Sequence, residues 1–254
     1  MVNKISYLLA ILLACFLRVE GADLLERPPY IVACNRSIPS VELNSCLVGA
    51  FNHLQPYLVK GIPELNVPAI EPLHIHEMIM ENGAGAVRVK ARFSDINVKG
   101  PGNFSVREVR ADVKNWRISL GLTIPRVEVS GVYDVNGNIL LFPVRSRGEF
   151  WAAFSDINAV ARIHGKEVAR GGETFMNVGK LVLDFTVKGS RFKIRDTTNQ
   201  ENILGEAINQ FLNQNGAEII NEMRPAASQS IGKLFRTYLD NAFSRIPVRL
   251  WLLE

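Results

Sequence analysis

Apolar residues at Leu43, Leu47, Phe51, Leu54 and Leu58 recur at spacings of three and four, which predicts an amphipathic helix over 41–60. Gly61-Ile62-Pro63 ends it, and Pro63, Pro68 and Pro72 enforce an extended connection. From Leu73 to Lys193 the period changes to two. Trp116, Ile118, Leu120, Leu122 and Ile124 alternate with Arg117, Ser119, Gly121 and Thr123, and Val87-Val89-Ala91-Phe93 and Leu181-Leu183-Phe185-Val187 repeat the pattern. Gly100-Pro101-Gly102, Asn136-Gly137-Asn138, Gly171-Gly172 and Gly189-Ser190 read as turns, with Asn136-Gly137 as a hairpin signal. The expectation is an antiparallel meander without crossover helices.

The last third returns to helical spacing. Ile203, Leu204, Ala207, Ile208, Phe211 and Leu212 form a stripe continued by Ile219, Ile220, Met223, Ile231, Leu234, Phe235, Tyr238 and Phe243. Unbroken, that helix would measure about 60 Å, against a globule diameter of roughly 45 Å for this chain length. The molecule is therefore expected to be elongated around the helix, or the helix to kink near Gly216 or Pro225. The fold class is α+β, a strongly curved antiparallel sheet wrapped around a long C-terminal helix in a single elongated domain.

Ile5–Leu17 is an uncharged apolar run after Lys4, followed by Gly21 and Ala22, the pattern of a cleaved secretory signal and too short for a membrane span. Residues 1–21 are read as signal and 22–254 as one mature domain. Cleavage leaves 254 − 21 = 233 residues and, with Lys4, Arg18 and Glu20 gone, lowers the net charge from +4 to +3. The product is expected to be secreted and extracellular, without stable membrane insertion. Loss of Cys15 leaves Cys34 and Cys46, which an oxidising compartment would join in one disulfide. Asn35-Arg36-Ser37 and Asn103-Phe104-Ser105 are glycosylation sequons, Asn103 the better acceptor beside its turn.

Scattered cations without interleaved aromatics argue against nucleic acid. No serine elbow, phosphate-binding glycine loop or zinc helix motif occurs, so no catalytic residue, metal or cofactor is assigned. His74 and His76 would share one strand face but lack a third ligand at readable spacing, and the plainer reading is a solvated edge strand. Asp95, Asp112, Asp134, Asp156 and Asp184 are read as solvated or turn residues. A sheet curled on a helix leaves an interior suited to an apolar ligand. Periodicity nominates Phe51 and Leu54 from the first helix, Trp116 and Leu120 from the sheet, and Phe211, Leu212, Ile219, Ile220 and Met223 from the last helix as its lining.

Several motifs occur together in order: Cys34-Asn35-Arg36-Ser37-Ile38-Pro39, Leu43-Asn44-Ser45-Cys46-Leu47, Gly61-Ile62-Pro63-Glu64-Leu65 and Glu71-Pro72-Leu73. Further on come Pro125-Arg126-Val127, Gly131-Val132-Tyr133, Gly137-Asn138-Ile139-Leu140, Leu212-Asn213-Gln214-Asn215 and Glu222-Met223-Arg224-Pro225. Across the mature chain this resembles the insect takeout and juvenile-hormone-binding family. The resemblance implies a TULIP-like wrap of sheet around helix, an elongated apolar tunnel, and a non-enzymatic carrier of juvenile hormone, fatty acids or related terpenoids. The single cysteine pair favours the takeout branch. The expected partner is a small hydrophobic ligand, with room for an unidentified receptor, and the expected state is a monomer. The alternative is a secreted protein that engages membrane or microbial lipid surfaces, through an exposed apolar tail at 246–253, for which the plainer reading is a tail strand packed on the sheet.

Overall fold

The computed structural model describes residues 23–139, 142–197 and 202–254; the signal reading of residues 1–21 lies outside them. Chain order is β1 (Cys34–Asn35), α1 (Ser40–Lys60), β2 (Leu73–Asn82), β3 (Val87–Lys99), β4 (Ser105–Asp112), β5 (Arg117–Ile139), β6 (Phe142–Arg170), β7 (Glu173–Thr186), β8 (Gly189–Asp196), α2 (Asn202–Gln214), α3 (Gly216–Phe243), α4 (Val248–Trp251) and β9 (Leu252–Leu253). The helix expected over 41–60 is α1, and the expected antiparallel strands are β2 to β8, though not as a simple meander: β3 pairs with β5 rather than β4, and β8 with β6 rather than β7.

The spine of the sheet is the β5–β6 hairpin, whose strands have 23 and 29 residues. Straight, β6 would run roughly 95 Å, so it must coil. One half of the hairpin, which we call proximal, pairs with β4 and β7; the distal half pairs with β3 and β8. Between the halves Ile124 pairs with Ile157 and Arg126 with Ser155, leaving Pro125 opposite Asp156 outside the ladder. Asp156 is left-handed at φ 50°, a conformation that Asp tolerates better than most residues. Inward-facing positions change parity there. On β6, Phe150, Ala152 and Phe154 precede the irregularity, while Ile157, Ala159, Ala161 and Ile163 are buried after it. Strand β3 does the same at Asp95 (φ 51°), switching from Val87, Val89 and Ala91 to Ile96 and Val98. Asp95, Asp112, Asp134, Asp156 and Asp184 are all exposed.

Two sequence expectations need correction, the turn at Asn136-Gly137 and the exposed tail, and the structure decides a third. Gly137 lies inside β5, paired with both Val89 and Val144, and the β5–β6 ladder runs on past it to Ile139 and Phe142. Glycine serves there because a Cβ would stand 2.2 Å from the Arg88 carbonyl oxygen. The stripe from Ile203 to Phe243 breaks beside Gly216, one of the two expected places, into two helices divided at Asn215, whereas α3 continues through Pro225. At about 42 Å, α3 fits a compact chain. The tail at 246–253 is not an exposed patch: Ile246, Val248, Leu250, Trp251 and Leu252 are buried, and Leu252 pairs with Cys34 in a two-stranded parallel ladder. Burying that apolar run completes the core at the proximal end.

The edge strands β4 and β8 each pair on one side only. A helix covers the other side, α1 on β4 and α2 on β8, and supplies asparagine amides to the unpaired backbone. Asn209 Oδ1 accepts from Ile194 N–H at 2.7 Å while its Nδ2 donates to the Ile194 carbonyl at 2.9 Å. Asn213 treats Phe192 the same way, at 2.9 and 2.8 Å.

Candidate functional site

The sheet does not close on itself; α3 bridges its two outer strands. Toward β7, Asp240 Oδ1 accepts from Asn177 Nδ2 and from Val178 N–H, both at 2.8 Å, and Arg224 lies 3.8 Å from Asp184. Toward β2, Ser230 Oγ donates to the Ile79 carbonyl at 2.8 Å, and Asn82 Nδ2 donates to the Glu222 carbonyl at 3.2 Å. Glu222 Oε2 also accepts from Ala86 N–H at 3.3 Å, fixing the β2–β3 turn. Sheet and helix together therefore enclose an interior.

Small residues make the closest approach. The buried residues of α3 are Gly216, Ala226 and Gly232; a Cβ on Gly216 would stand 2.7 Å from Ser190 Oγ, and one on Gly232 3.4 Å from the Leu181 carbonyl. The large apolar side chains of the same helix, Ile219, Ile220, Met223, Ile231, Leu234 and Phe235, stay half-buried. The facing distal wall matches: Val127, Val129, Phe150, Phe154, Phe192 and Ile194 are half-buried too. Its rings meet edge-on, Phe93 with Phe150 at 5.2 Å and Phe154 with Phe192 at 5.9 Å between centroids. At the proximal end the same layers are closed, with Leu65, Ile163, Met176, Val178 and Leu252 all below 2% exposure. Cys34 and Cys46 form a disulfide in that region, as expected.

A polar chain crosses the distal wall. Tyr133 Oη and Ser146 Oγ lie 2.7 Å apart, and Ser146 donates to Asp196 Oδ2 at 2.8 Å. Burial raises the Tyr133 pKa; the Ser146 hydrogen bond opposes this and the Asp196 charge adds to it. Burial alone raises that of Tyr238 on α3. His74 and His76 are exposed on β2, and among the described residues no group of three or more His, Cys, Asp or Glu side chains is gathered that could hold a metal.

This architecture has relatives. Residues 9–253 match the haemolymph juvenile hormone binding protein (JHBP) family. The chain belongs to that family. JHBP-family relatives include the circadian clock-controlled protein daywake of Drosophila yakuba, 27% identical over 211 residues, which cover 80% of this chain and 81% of that protein. Daywake of Drosophila melanogaster is 26% identical over the same shares. The crystal structure of Epiphyas postvittana Takeout 1 superposes with a TM-score of 0.74 at 20% identity, covering 87% of this chain and 99% of that one. The curled antiparallel sheet around a C-terminal helix is thus the takeout fold.

Within this JHBP-family fold the nine nominated lining residues divide. Phe51, Leu54 and Trp116 pack against the proximal core cluster and Leu120 belongs to it. Phe211 and Leu212 on α2, and Ile219, Ile220 and Met223 on α3, lie in neither compact cluster and are half-buried. The structure does not bring the two groups together. Missed were the inward aromatics of the distal sheet, Phe93, Phe150, Phe154 and Phe192. Their period-two spacing was the available signal, obscured by the parity changes at Asp95 and Asp156.

Proposed function

We propose that this chain is a secreted, non-enzymatic carrier of one small lipophilic ligand, a juvenile-hormone-like terpenoid, fatty acid or similar molecule, held between α3 and the distal sheet. One observation carries the reading. Apolar side chains on both facing walls keep accessible surface although α3 is hydrogen-bonded to both outer strands, and an elongated apolar guest would cover that surface. Apolar burial provides about 25 cal/mol per Å², so a guest burying roughly 300 Å² gains several kcal/mol without a charged anchor. Membership of a family of binding proteins supports the same reading.

The lining in this proposal is Phe211, Leu212, Ile219, Ile220 and Met223 together with Phe150, Phe154 and Phe192. Phe51, Leu54, Trp116 and Leu120 are demoted to its proximal floor. The single cysteine pair favours a takeout-type cargo over juvenile hormone itself. Secretion after removal of residues 1–21 completes the reading. Asn103, exposed beside its turn, is the favoured glycan acceptor. Asn35, whose Oδ1 accepts from Ser37 N–H at 2.7 Å, is the weaker one. Organic extraction of protein purified from a eukaryotic secretion host, followed by mass spectrometry, tests the proposal. A co-purifying lipid is expected; repeated absence of lipid together with no uptake of a fluorescent fatty acid contradicts it.

A further inference from the structure

The outer face of the distal sheet carries an organised charge pattern. Outward positions on β6 are Arg145, Arg147, Glu149 and Trp151, and on β8 they are Arg191, Lys193 and Arg195, all exposed except the half-buried Trp151; Arg147 stands opposite Asp134 of β5. Register sets Trp151 opposite Lys193 and Glu149 opposite Arg195, with Arg191 opposite Ala153. Two successive outward positions on β8 flank the indole's cross-strand partner, so a cationic row about 13 Å long runs beside Trp151. Arg195 pairs with Glu149 at 3.6 Å, both side chains well exposed, so that pair neutralises the row weakly. Arg145, Arg191 and Lys193 make no ion pair among the described residues. The helical side of the molecule is balanced by comparison: α3 carries Glu218, Glu222 and Asp240 against Arg224, Lys233 and Arg236.

From this we infer that the β6–β8 outer face is a docking surface for an anionic lipid bilayer. Clustered cations on one face are drawn to acidic headgroups, each strengthening binding on the order of fivefold near the surface. Trp151, amphipathic, stands opposite Lys193 with its indole hydrogen-bonded to the Glu128 side chain, and suits the headgroup level. An acidic protein partner would match the charge, but a single half-buried indole on an otherwise polar face suits the headgroup level of a bilayer better than the apolar core of a protein interface. The inward side chains of these same strands, Phe150, Phe154 and Phe192, belong to the proposed ligand wall, so docking brings the carrier's interior within one sheet thickness of the membrane. This purpose rests on the carrier reading, whereas docking itself does not.

Co-sedimentation of the full mature protein with vesicles tests the inference, using phosphatidylcholine alone and phosphatidylcholine containing phosphatidylserine. Binding is expected only with the acidic lipid, and it should fall as salt is raised. The combined change R145E/R191E/K193E should weaken it by at least about tenfold, with circular dichroism and fatty-acid uptake unchanged. The charge-neutral set R145Q/R191Q/K193Q gives the same direction with less perturbation of folding. Brominated lipid should quench fluorescence in the wild type, and W151F should lose most of that quenching. Equal binding to both vesicle types, unchanged binding by both variant sets, or capture by a soluble polyanion such as heparin without vesicle binding would each overturn the inference. Vesicle binding without fatty-acid uptake would support docking while removing the carrier reading.

Discussion

Asn52 on α1 and Val106 on β4 form a two-way amide pair: Asn52 Oδ1 accepts from Val106 N–H and its Nδ2 donates to the Val106 carbonyl, each at 2.9 Å. Val106 is the second residue of an edge strand, and the side chain stands in for a missing neighbouring strand. Asn209 and Asn213 repeat the device on β8.

Breaking such a pair strands two backbone groups. N52A is expected to destabilise the protein by about 1–3 kcal/mol. N52D should fall in the same direction, since a carboxylate accepts from the N–H but cannot donate to the carbonyl. Denaturant midpoints check both, and an unchanged midpoint in N52D would show that the donor half contributes nothing.

Filling the space between α3 and the distal sheet separates a ligand chamber from a packed core. I220W and M223W should reduce fatty-acid affinity at least about tenfold while shifting Tm by only a few degrees, because the new ring occupies the guest's place. In a solid core the same changes would overpack, costing about 1–3 kcal/mol, with no selective effect on binding.

Gly216 and Gly232 set how closely α3 lies on the sheet. A larger residue at 216 meets Ser190 Oγ and the Phe192 ring, at 2.7 and 3.2 Å from the new Cβ. G216V should therefore lower stability by about 1–3 kcal/mol and accelerate ligand release, read by stopped-flow displacement of a fluorescent fatty acid. G49V on α1, where a Cβ meets nothing within 4 Å, is the control and should leave release unchanged.

Alkaline stability follows from the phenols. Burial raises the pKa of both Tyr133 and Tyr238 in the folded protein. A raised folded pKa means that the unfolded chain loses its phenolic proton first. The stabilisation is thus fully present below the ordinary tyrosine pKa of about 10 and is lost as pH rises from there through the folded value. Tm should decline above that point, and Y133F should flatten the decline. An identical slope in Y133F would contradict the assignment to this group.

Much of the architecture was readable from periodicity because side-chain burial repeats with backbone geometry. The leucine spacing in α1 and the alternation in β5 and β7 each point to one face. What escaped depends on contacts distant in sequence. Gly137 reads as a turn residue beside Asn136, yet its role is to admit the Arg88 backbone. Asp95 and Asp156 read as ordinary solvated carboxylates, yet their left-handed φ values reverse which alternate positions face inward, so a constant period-two reading misassigns one half of β3 and of β6. The proposed lining was only partly legible for the same reason. Five nominated residues on α2 and α3 are half-buried outside the compact clusters, whereas Phe51, Leu54, Trp116 and Leu120 follow an equally good local pattern into the closed proximal core.

Native mass spectrometry of the delipidated mature protein, before and after incubation with a single long-chain fatty acid, tests the carrier account most directly. The account predicts a shift by one fatty-acid mass that saturates at one ligand per chain and is lost in I220W. No adduct, or a ladder of several adducts that I220W leaves unchanged, would contradict it.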